Sequence, residues 1–431
     1  MIAPARKAAF ELLLELKRKP ESHSDILLHS KRVEALSPLD RNLATTLVMG
    51  VLRWQLVLQQ RIREALTRSK GHLADAVQVS LELGALQLLL LDRIPAHAAI
   101  FESVELVRQS GNPYAVGLAN AVLRKLMQAP KLQEAEALAA HPSWMVERWA
   151  AAYGSEAAAA ICRYDQLPPP TTIRITSPEA EPGLQLEPGS FVARAWRAVA
   201  GEVTGARAAR VQDEGSQLIA ELAGRGIAIL DCCAAPGGKT AILAERNPAA
   251  TITACDISPR RLKAMQALLT GQPGKIRFRA LDATELPFRE EFDLVLCDAP
   301  CSGTGTLARN PEIRHRLTVD DFARQHERQV RLLCSAMRSL REGGRLVYST
   351  CSLEGEENEA VVAEALIRLG RQEGFRLLPW RPQVWALEGE GVLRPGTADR
   401  LFPGESPDDF VRLLPGAYQG DGFFAACLTR N

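Results

Sequence analysis

From about residue 206 the hydrophobic period of the chain becomes that of short strands alternating with helices, and this most narrows what it can fold into. Ile227–Leu230, Thr251–Cys255, Ile276–Ala280, Phe292–Leu296 and Arg345–Tyr348 are short apolar or β-rich runs. Helical patterns at Lys239–Glu245, Arg260–Leu269 and Phe322–Leu340 separate several of them. Strands alternating with helices at this spacing predict a mainly parallel sheet covered on both faces. Ligands of such a sheet bind outside the carboxyl ends of its strands. The last run, Phe423–Leu428, follows Asp421-Gly422 closely and is expected to be antiparallel.

Residues 1–130 read differently. Ala8, Leu12, Leu13 and Leu16 recur at helical spacing, as do Leu47, Val51, Leu52 and Val57, with Ser37 and Asp40 as candidate caps. The pattern continues through Val77–Leu91, Ile100–Val107 and Leu118–Leu126, and predicts a helical bundle without clustered catalytic residue types. Residues 131–205, with an Ala-rich helix, Pro168-Pro169-Pro170 and a short β-like run at Thr171–Ile175, read as a connecting subdomain. The expected fold class is multi-domain, α followed by α/β, with a Rossmann-like domain over 206–431.

A net charge of +1 carries no overall signature of a nucleic-acid binder. A local surface remains open, because Arg309 to Arg345 holds nine Arg and no Lys against five acids, an excess of four. Arg309 and Arg314 are read either as phosphate contacts or as part of a solvated helix face. Nine scattered Cys without a CxxC pair argue against a disulfide framework and a zinc site, and no metal is expected. Free thiols, no signal-like segment at the first helix, and an apolar run at Leu86–Leu91 far too short for a membrane span point to a cytoplasmic protein.

The loop Asp231-Cys232-Cys233-Ala234-Ala235-Pro236-Gly237-Gly238-Lys239-Thr240 follows the first strand of the alternating region. A phosphate-binding P-loop needs glycine where Cys233 stands, and the loop lacks the G-x-G-x-x-G of dinucleotide sites. That leaves a nucleoside cofactor with a charged amino-acid tail. Gly237 and Gly238 would allow close backbone approach, and the helix start would offer N–H groups to a carboxylate. Asp256, 18 residues after Gly238, could take ribose hydroxyls. Asp282 could accept from an adenine amino group, and Asp298 follows the fourth strand. Any one of these acids could equally be a turn cap. An acid or Gly-rich turn after four consecutive strands is harder to explain that way.

Two cysteines stand apart from the rest. Cys162, Cys255, Cys297, Cys334 and Cys427 sit among apolar neighbours and read as packing, as does Cys232. Cys301, in Asp298-Ala299-Pro300-Cys301-Ser302-Gly303, and Cys351, in Tyr348-Ser349-Thr350-Cys351-Ser352, lie in turn-forming loops just beyond strands. A thiolate suits a carbon centre that is attacked and later released. The residue chemistry does not rank the two.

Asp231 to Ser352 resembles the RNA 5-methylcytosine methyltransferases through Cys233–Thr240, Asp298–Gly305 and Tyr348–Ser352. The N-terminal region is similar to one branch of that family, the bacterial small-subunit ribosomal RNA methyltransferase B or Sun/Fmu type, with its NusB-like RNA-binding domain. The matching stretches are Ile94–Ile100, Ser103–Val107 and Asn120–Arg124, and Arg412–Gly416 through Asp421–Phe424 looks like the family's closing strands. The resemblance implies a class I methyltransferase domain. In it Cys233, Ala234, Ala235, Pro236, Gly237, Gly238, Lys239, Asp256, Asp282 and Asp298 bind S-adenosyl-L-methionine. It implies that Cys351 attacks cytosine C6, that Asp298 hydrogen-bonds or protonates N3, and that Cys301 assists elimination. Lys239 could lie near the methyl donor or cap the loop. The implied substrate is a cytidine of 16S rRNA, free or in a small-subunit assembly intermediate, and the implied state is a monomer. The alternatives are a transfer RNA substrate, an RNA-binding assembly or transcription factor with an inactive domain, and an NAD-dependent oxidoreductase. Intact loop motifs speak against the inactive domain, and the missing dinucleotide fingerprint against the oxidoreductase.

Overall fold

The computed structural model describes residues 2–19, 22–66, 72–175, 183–200, 209–370 and 373–431. The boundary expected near residue 206 lies outside them. The chain divides into two compact units, Met1–Pro168 with Leu307–Arg316, and Pro169–Thr306 with Leu317–Asn431.

The first unit is helical among the described residues. Its helices are α1 (Pro4–Arg18), α2 (Ser24–Leu28), α3 (Lys31–Glu34), α4 (Pro38–Ala65), α5 (Asp75–Leu89), α6 (Ala96–Gln109), α7 (Val116–Leu126), α8 (Ser143–Tyr153) and α9 (Ser155–Asp165). Ser37 caps α4 by accepting from the Asp40 N–H at 3.1 Å, and Pro38 occupies the first turn, where its missing N–H is harmless. Every residue of α5 from Val79 to Leu89 is buried, which makes it the central helix of the bundle. Leu12, Leu47, Leu58, Ile62 and Leu81 fill the core around it.

Leu307–Arg316 packs as part of this helical unit. The Arg53 guanidinium donates to the Ala308 carbonyl at 2.8 Å, and Glu312 accepts from the Ser24 N–H and hydroxyl at 3.0 and 2.8 Å. Arg314 is 1% exposed and donates to the carbonyls of Arg53 and Ala140 at 3.3 and 3.2 Å. The reading of Arg314 as a phosphate contact or a solvated residue is therefore corrected. It is a buried cation satisfying backbone carbonyls, whose burial periodicity analysis could not register because the segment forms only a short 3₁₀ turn.

The second unit holds two sheets. One is antiparallel, in the order β2-β3-β1-β4, from β1 (Thr171–Arg174), β2 (Gln185–Pro188), β3 (Ala195–Ala200) and β4 (Arg210–Val211). The other comprises β5 (Ala228–Asp231), β6 (Thr251–Asp256), β7 (Lys275–Ala280), β8 (Phe292–Asp298), β9 (Leu340–Thr350), β10 (Phe375–Leu378), β11 (Phe410–Leu413) and β12 (Phe423–Arg430). Its order is β10-β12-β9-β8-β5-β6-β7, and β11 also pairs with β12. The pairs among β5 to β9 are parallel, and β12 is antiparallel to β9, β10 and β11. Helices α10 (Glu214–Ala223), α11 (Gly238–Arg246), α12 (Pro259–Leu268), α13 (Val319–Ser339) and α14 (Glu359–Ala365) belong to this unit.

Side-chain alternation explains why both faces are covered. Ile229, Leu294, Leu296 and Val347 join Leu218, Leu222 and Leu243 in one core cluster, while Leu230, Val295, Cys297 and Tyr348 join Leu333 and Met337 in another. A strand apolar on both sides needs a helix layer on each.

Candidate active site

The strand order reverses at β5, which pairs with β6 on one side and β8 on the other. In sheets of this kind ligands bind at the carboxyl ends of the strands beside that switch point. Asp231 ends β5, Asp256 ends β6, Asp298 ends β8, and Cys351 follows β9 directly. Asp282 lies two residues past β7 and caps a 3₁₀ turn, accepting from the Thr284 N–H and hydroxyl at 2.9 and 2.8 Å. The backbone bond, then the hydroxyl, hold its carboxyl below the ordinary range.

Cys232 to Gly237 link β5 to α11, and Gly238 and Lys239 open that helix. Gly237 is the N-cap of α11, with φ 109°, a left-handed conformation that L side chains avoid. A Cβ there would also come 2.8 Å from Met265. Asp256 is 4% exposed and accepts from the Ser258 N–H at 2.9 Å, with Arg261 3.3 Å away. Arg261 also donates to the Ala235 carbonyl at 2.7 Å, which ties α12 to the loop.

Lys239 reaches across to Asp298, Nζ to Oδ2 at 2.7 Å, and the Ser349 hydroxyl donates to Asp298 Oδ1 at 2.7 Å. Burial opposes charge on Lys239, but the Asp298 carboxylate more than restores it and holds the ammonium above the ordinary lysine range. Asp231 is buried and accepts from the Thr240 hydroxyl at 2.6 Å. Burial, opposed by that hydrogen bond and assisted by Asp298, pushes its carboxyl up to about 7.

The Cys301 and Cys351 sulfurs are 3.3 Å apart. Both residues are half-buried, whereas Cys162, Cys232, Cys255, Cys297, Cys334 and Cys427 are buried. The hydrogen bond to Cys351, then burial, push the Cys301 thiol well up. Burial, with Asp231 adding to it, pushes Cys255 up to about 12, and burial pushes Cys427 up to about 11, leaving them inert packing thiols.

Sequence reasoning passed over Glu357. It is fully buried, and it accepts from the Ser302 N–H at 2.8 Å, from the Gln329 amide at 3.0 Å, and from the Ser302 and Ser352 hydroxyls. In sequence it stands in Glu354-Gly355-Glu356-Glu357-Asn358-Glu359, which looks like a solvated acidic run. It lies in a 3₁₀ turn, Gly355–Glu357, with no periodic pattern to betray an inward face.

A doubly wound sheet extended by antiparallel β12, with a glycine loop after its first parallel strand and acids at the strand ends, defines a Rossmann-like methyltransferase domain. Comparison with known proteins agrees. Residues 223–429 match the family model for the 16S rRNA methyltransferase RsmB/F, residues 3–128 that for the NusB family, and residues 141–181 that for an RsmF/B-like ferredoxin-like domain. The probable ribosomal RNA small subunit methyltransferase B of Bacillus subtilis is 30% identical, over 83% of this chain and 87% of its own. That of Xanthomonas campestris is 32% identical, over 91% and 90%. The crystal structure of PH0851 superposes with a TM-score of 0.77 at 24% identity, covering 100% of this chain and 99% of its own, a likeness of fold. The chain belongs to the RsmB/F family of RNA methyltransferases, enzymes of the 5-methylcytosine type.

Proposed function

We propose that this enzyme transfers a methyl group from S-adenosyl-L-methionine to C5 of one cytidine in 16S rRNA, through a covalent bond between Cys351 and cytosine C6. The observation that carries the proposal is the pair of half-buried thiols 3.3 Å apart, beside an Asp298 already held by Lys239 and Ser349.

The residues around the loop suit the methyl donor. No side chain caps the start of α11 at the left-handed Gly237, so its N–H groups can meet a carboxylate. Cys233, Ala234, Ala235, Pro236, Gly238 and Lys239 would complete the cradle, Asp256 would take the ribose hydroxyls, and Asp282 would accept from the adenine amino group. When bound, the donor supplies a sulfonium methyl group.

Cytosine C5 is a weak nucleophile until a thiolate adds next to it. Cys351 forms the S–C6 bond, and the C5=C6 π electrons move to C5. C5 then takes the methyl group, and the electrons of the broken sulfur–methyl bond stay on the donor's sulfur. A solvent water takes the C5 proton in an elimination that Cys301 assists, the C5–H electrons re-form the C5=C6 bond, and Cys351 departs as thiolate. Asp298, held by Lys239 and Ser349, hydrogen-bonds or protonates cytosine N3 and so stabilises the adduct. Reaching the base requires unstacking it, so an exposed loop or helix end is the natural target. The enzyme acts as a cytoplasmic monomer, on free rRNA or an assembly intermediate.

The test is bisulfite sequencing of 16S rRNA from a strain lacking the protein, with re-expression of wild type and Cys351→Ala. Loss of protection at one cytidine, restored by wild type alone, is expected. Loss at a transfer RNA cytidine would overturn the substrate. Restoration by Cys351→Ala would overturn the mechanism.

A further inference from the structure

We propose that Glu357 is a positioning residue, holding the Cys301 and Cys351 loops in the register that lets the two thiols act as a pair. The inference rests on the covalent reading above and adds a residue to it.

The parallel ladder between β8 and β9 ends at Asp298 opposite Ser349. Each cysteine lies beyond that point, so strand pairing does not fix the distance between them. Glu357 takes over there. Its Oε1 accepts from the Ser302 N–H at 2.8 Å, and its Oε2 accepts from both the Ser302 and the Ser352 hydroxyls. Those two serines directly follow Cys301 and Cys351. The two hydroxyl oxygens, 3.1 Å apart, meet at that one carboxylate oxygen.

Two further contacts fix the clamp itself. Gln329, on α13, donates to Glu357 Oε1 at 3.0 Å and to the Pro300 carbonyl at 2.9 Å, gripping the residue before Cys301. The Tyr348 hydroxyl donates to the Glu357 carbonyl at 2.6 Å, anchoring the turn to β9. A carboxylate with four donors and no solvent is satisfied where it stands, and charge-assisted bonds of this kind are about twice as strong as neutral ones. The charge has a second consequence. After the hydrogen bond to Cys351, burial and Cys351 itself, Glu357 is a further influence that keeps the proton on Cys301.

The test compares full-length wild type with Glu357→Gln and Glu357→Asp. Glutamine preserves the shape but offers one acceptor oxygen and turns N–H groups towards donors. The direct readout is bridging of Cys301 and Cys351 by a trivalent organoarsenical, which needs two sulfurs in close register, mapped by mass spectrometry on enzyme that still binds S-adenosylmethionine. Glu357→Gln is expected to lower the bridged yield about tenfold or more. It should lower kcat for RNA methylation by about tenfold to hundredfold, the loss of one or two charged hydrogen bonds. S-adenosylmethionine affinity should stay within about twofold, and Glu357→Asp should recover part of both losses. Bridging and kcat at wild-type values would overturn the proposal. So would lost activity with undiminished bridging. If Glu357→Gln does not fold, Ser352→Ala removes one donor and keeps the charge. A fall in bridging of about threefold supports the clamp, and none refutes it. The covalent reading is judged separately, by whether Cys301→Ala accumulates an RNA adduct on a denaturing gel.

Discussion

Gly305→Ala is the sharpest test of how tightly the two cysteine loops are fitted. Gly305 donates its N–H to the Cys351 carbonyl at 2.9 Å, and its own carbonyl accepts from the Gly422 N–H at 2.6 Å. A Cβ at this position would lie 2.5 Å from the Gly422 oxygen and 2.8 Å from the Cys351 oxygen. Carbon–oxygen contacts normally begin near about 3.3 Å, so one carbonyl must retreat by about 0.8 Å and the other by about 0.5 Å. Both are backbone atoms, and neither can rotate away as a side-chain tip would. Overpacking of this kind costs about 1–3 kcal/mol. The catalytic effect should be larger than that figure suggests, because the shift falls on Cys351, and a misplacement of about 1 Å costs about a hundredfold in rate. Single-turnover transfer of labelled methyl groups to RNA should slow by about tenfold to hundredfold in Gly305→Ala. S-adenosylmethionine binding should change less than the rate, since the added Cβ meets Gly422 and Cys351 and no residue of the loop at Gly237. A wild-type rate with an unchanged melting temperature would show that these loops are slack and refute the reasoning.

Cys301→Ala is expected to form a slowly migrating enzyme–RNA adduct on a denaturing gel, and absence of that species would remove Cys301 from product release. Asp231 governs a pH effect. Its carboxyl is held at about 7 when folded, above the unfolded value near about 4, so the stability from its protonated form is present at low pH and lost as pH rises through 7. Asp231→Asn should therefore gain melting temperature relative to wild type between about pH 4 and 7, and a flat difference would refute the assignment. Arg314→Met should destabilise the protein by about 1–3 kcal/mol, because it takes away the donor that the buried Ala140 carbonyl accepts from, while the salt dependence of RNA binding keeps its slope. Unchanged stability with a shallower salt slope would restore Arg314 as a phosphate contact.

Much of this protein can be read without coordinates. Strand–helix alternation with apolar strands such as Ile229–Leu230 and Leu294–Cys297 specifies a parallel sheet covered on both faces, because nothing else buries both sides of each strand. The same alternation puts Asp231, Asp256, Asp298 and Cys351 at carboxyl ends, since the three acids close their strands and Cys351 directly follows one. Loop composition separates Cys301 and Cys351 from the six buried thiols, because glycine, proline and serine neighbours mark turns where a thiol stays accessible. These are local properties, carried by residues close in sequence. What only the tertiary structure decided depends on partners far apart in the chain. Lys239 and Asp298 are 59 positions apart, and nothing around either predicts their 2.7 Å contact. Glu357 acts through Ser302, 55 residues away. Its acidic stretch resembles a solvated turn until packing turns one carboxylate inward. Arg314 reads as a surface arginine for the same reason, and its place was set by carbonyls of Arg53 and Ala140, which lie 261 and 174 residues earlier. A sequence pattern records which side chains prefer to leave water, whereas the acceptor that a buried charge finds is settled only when distant segments close around it.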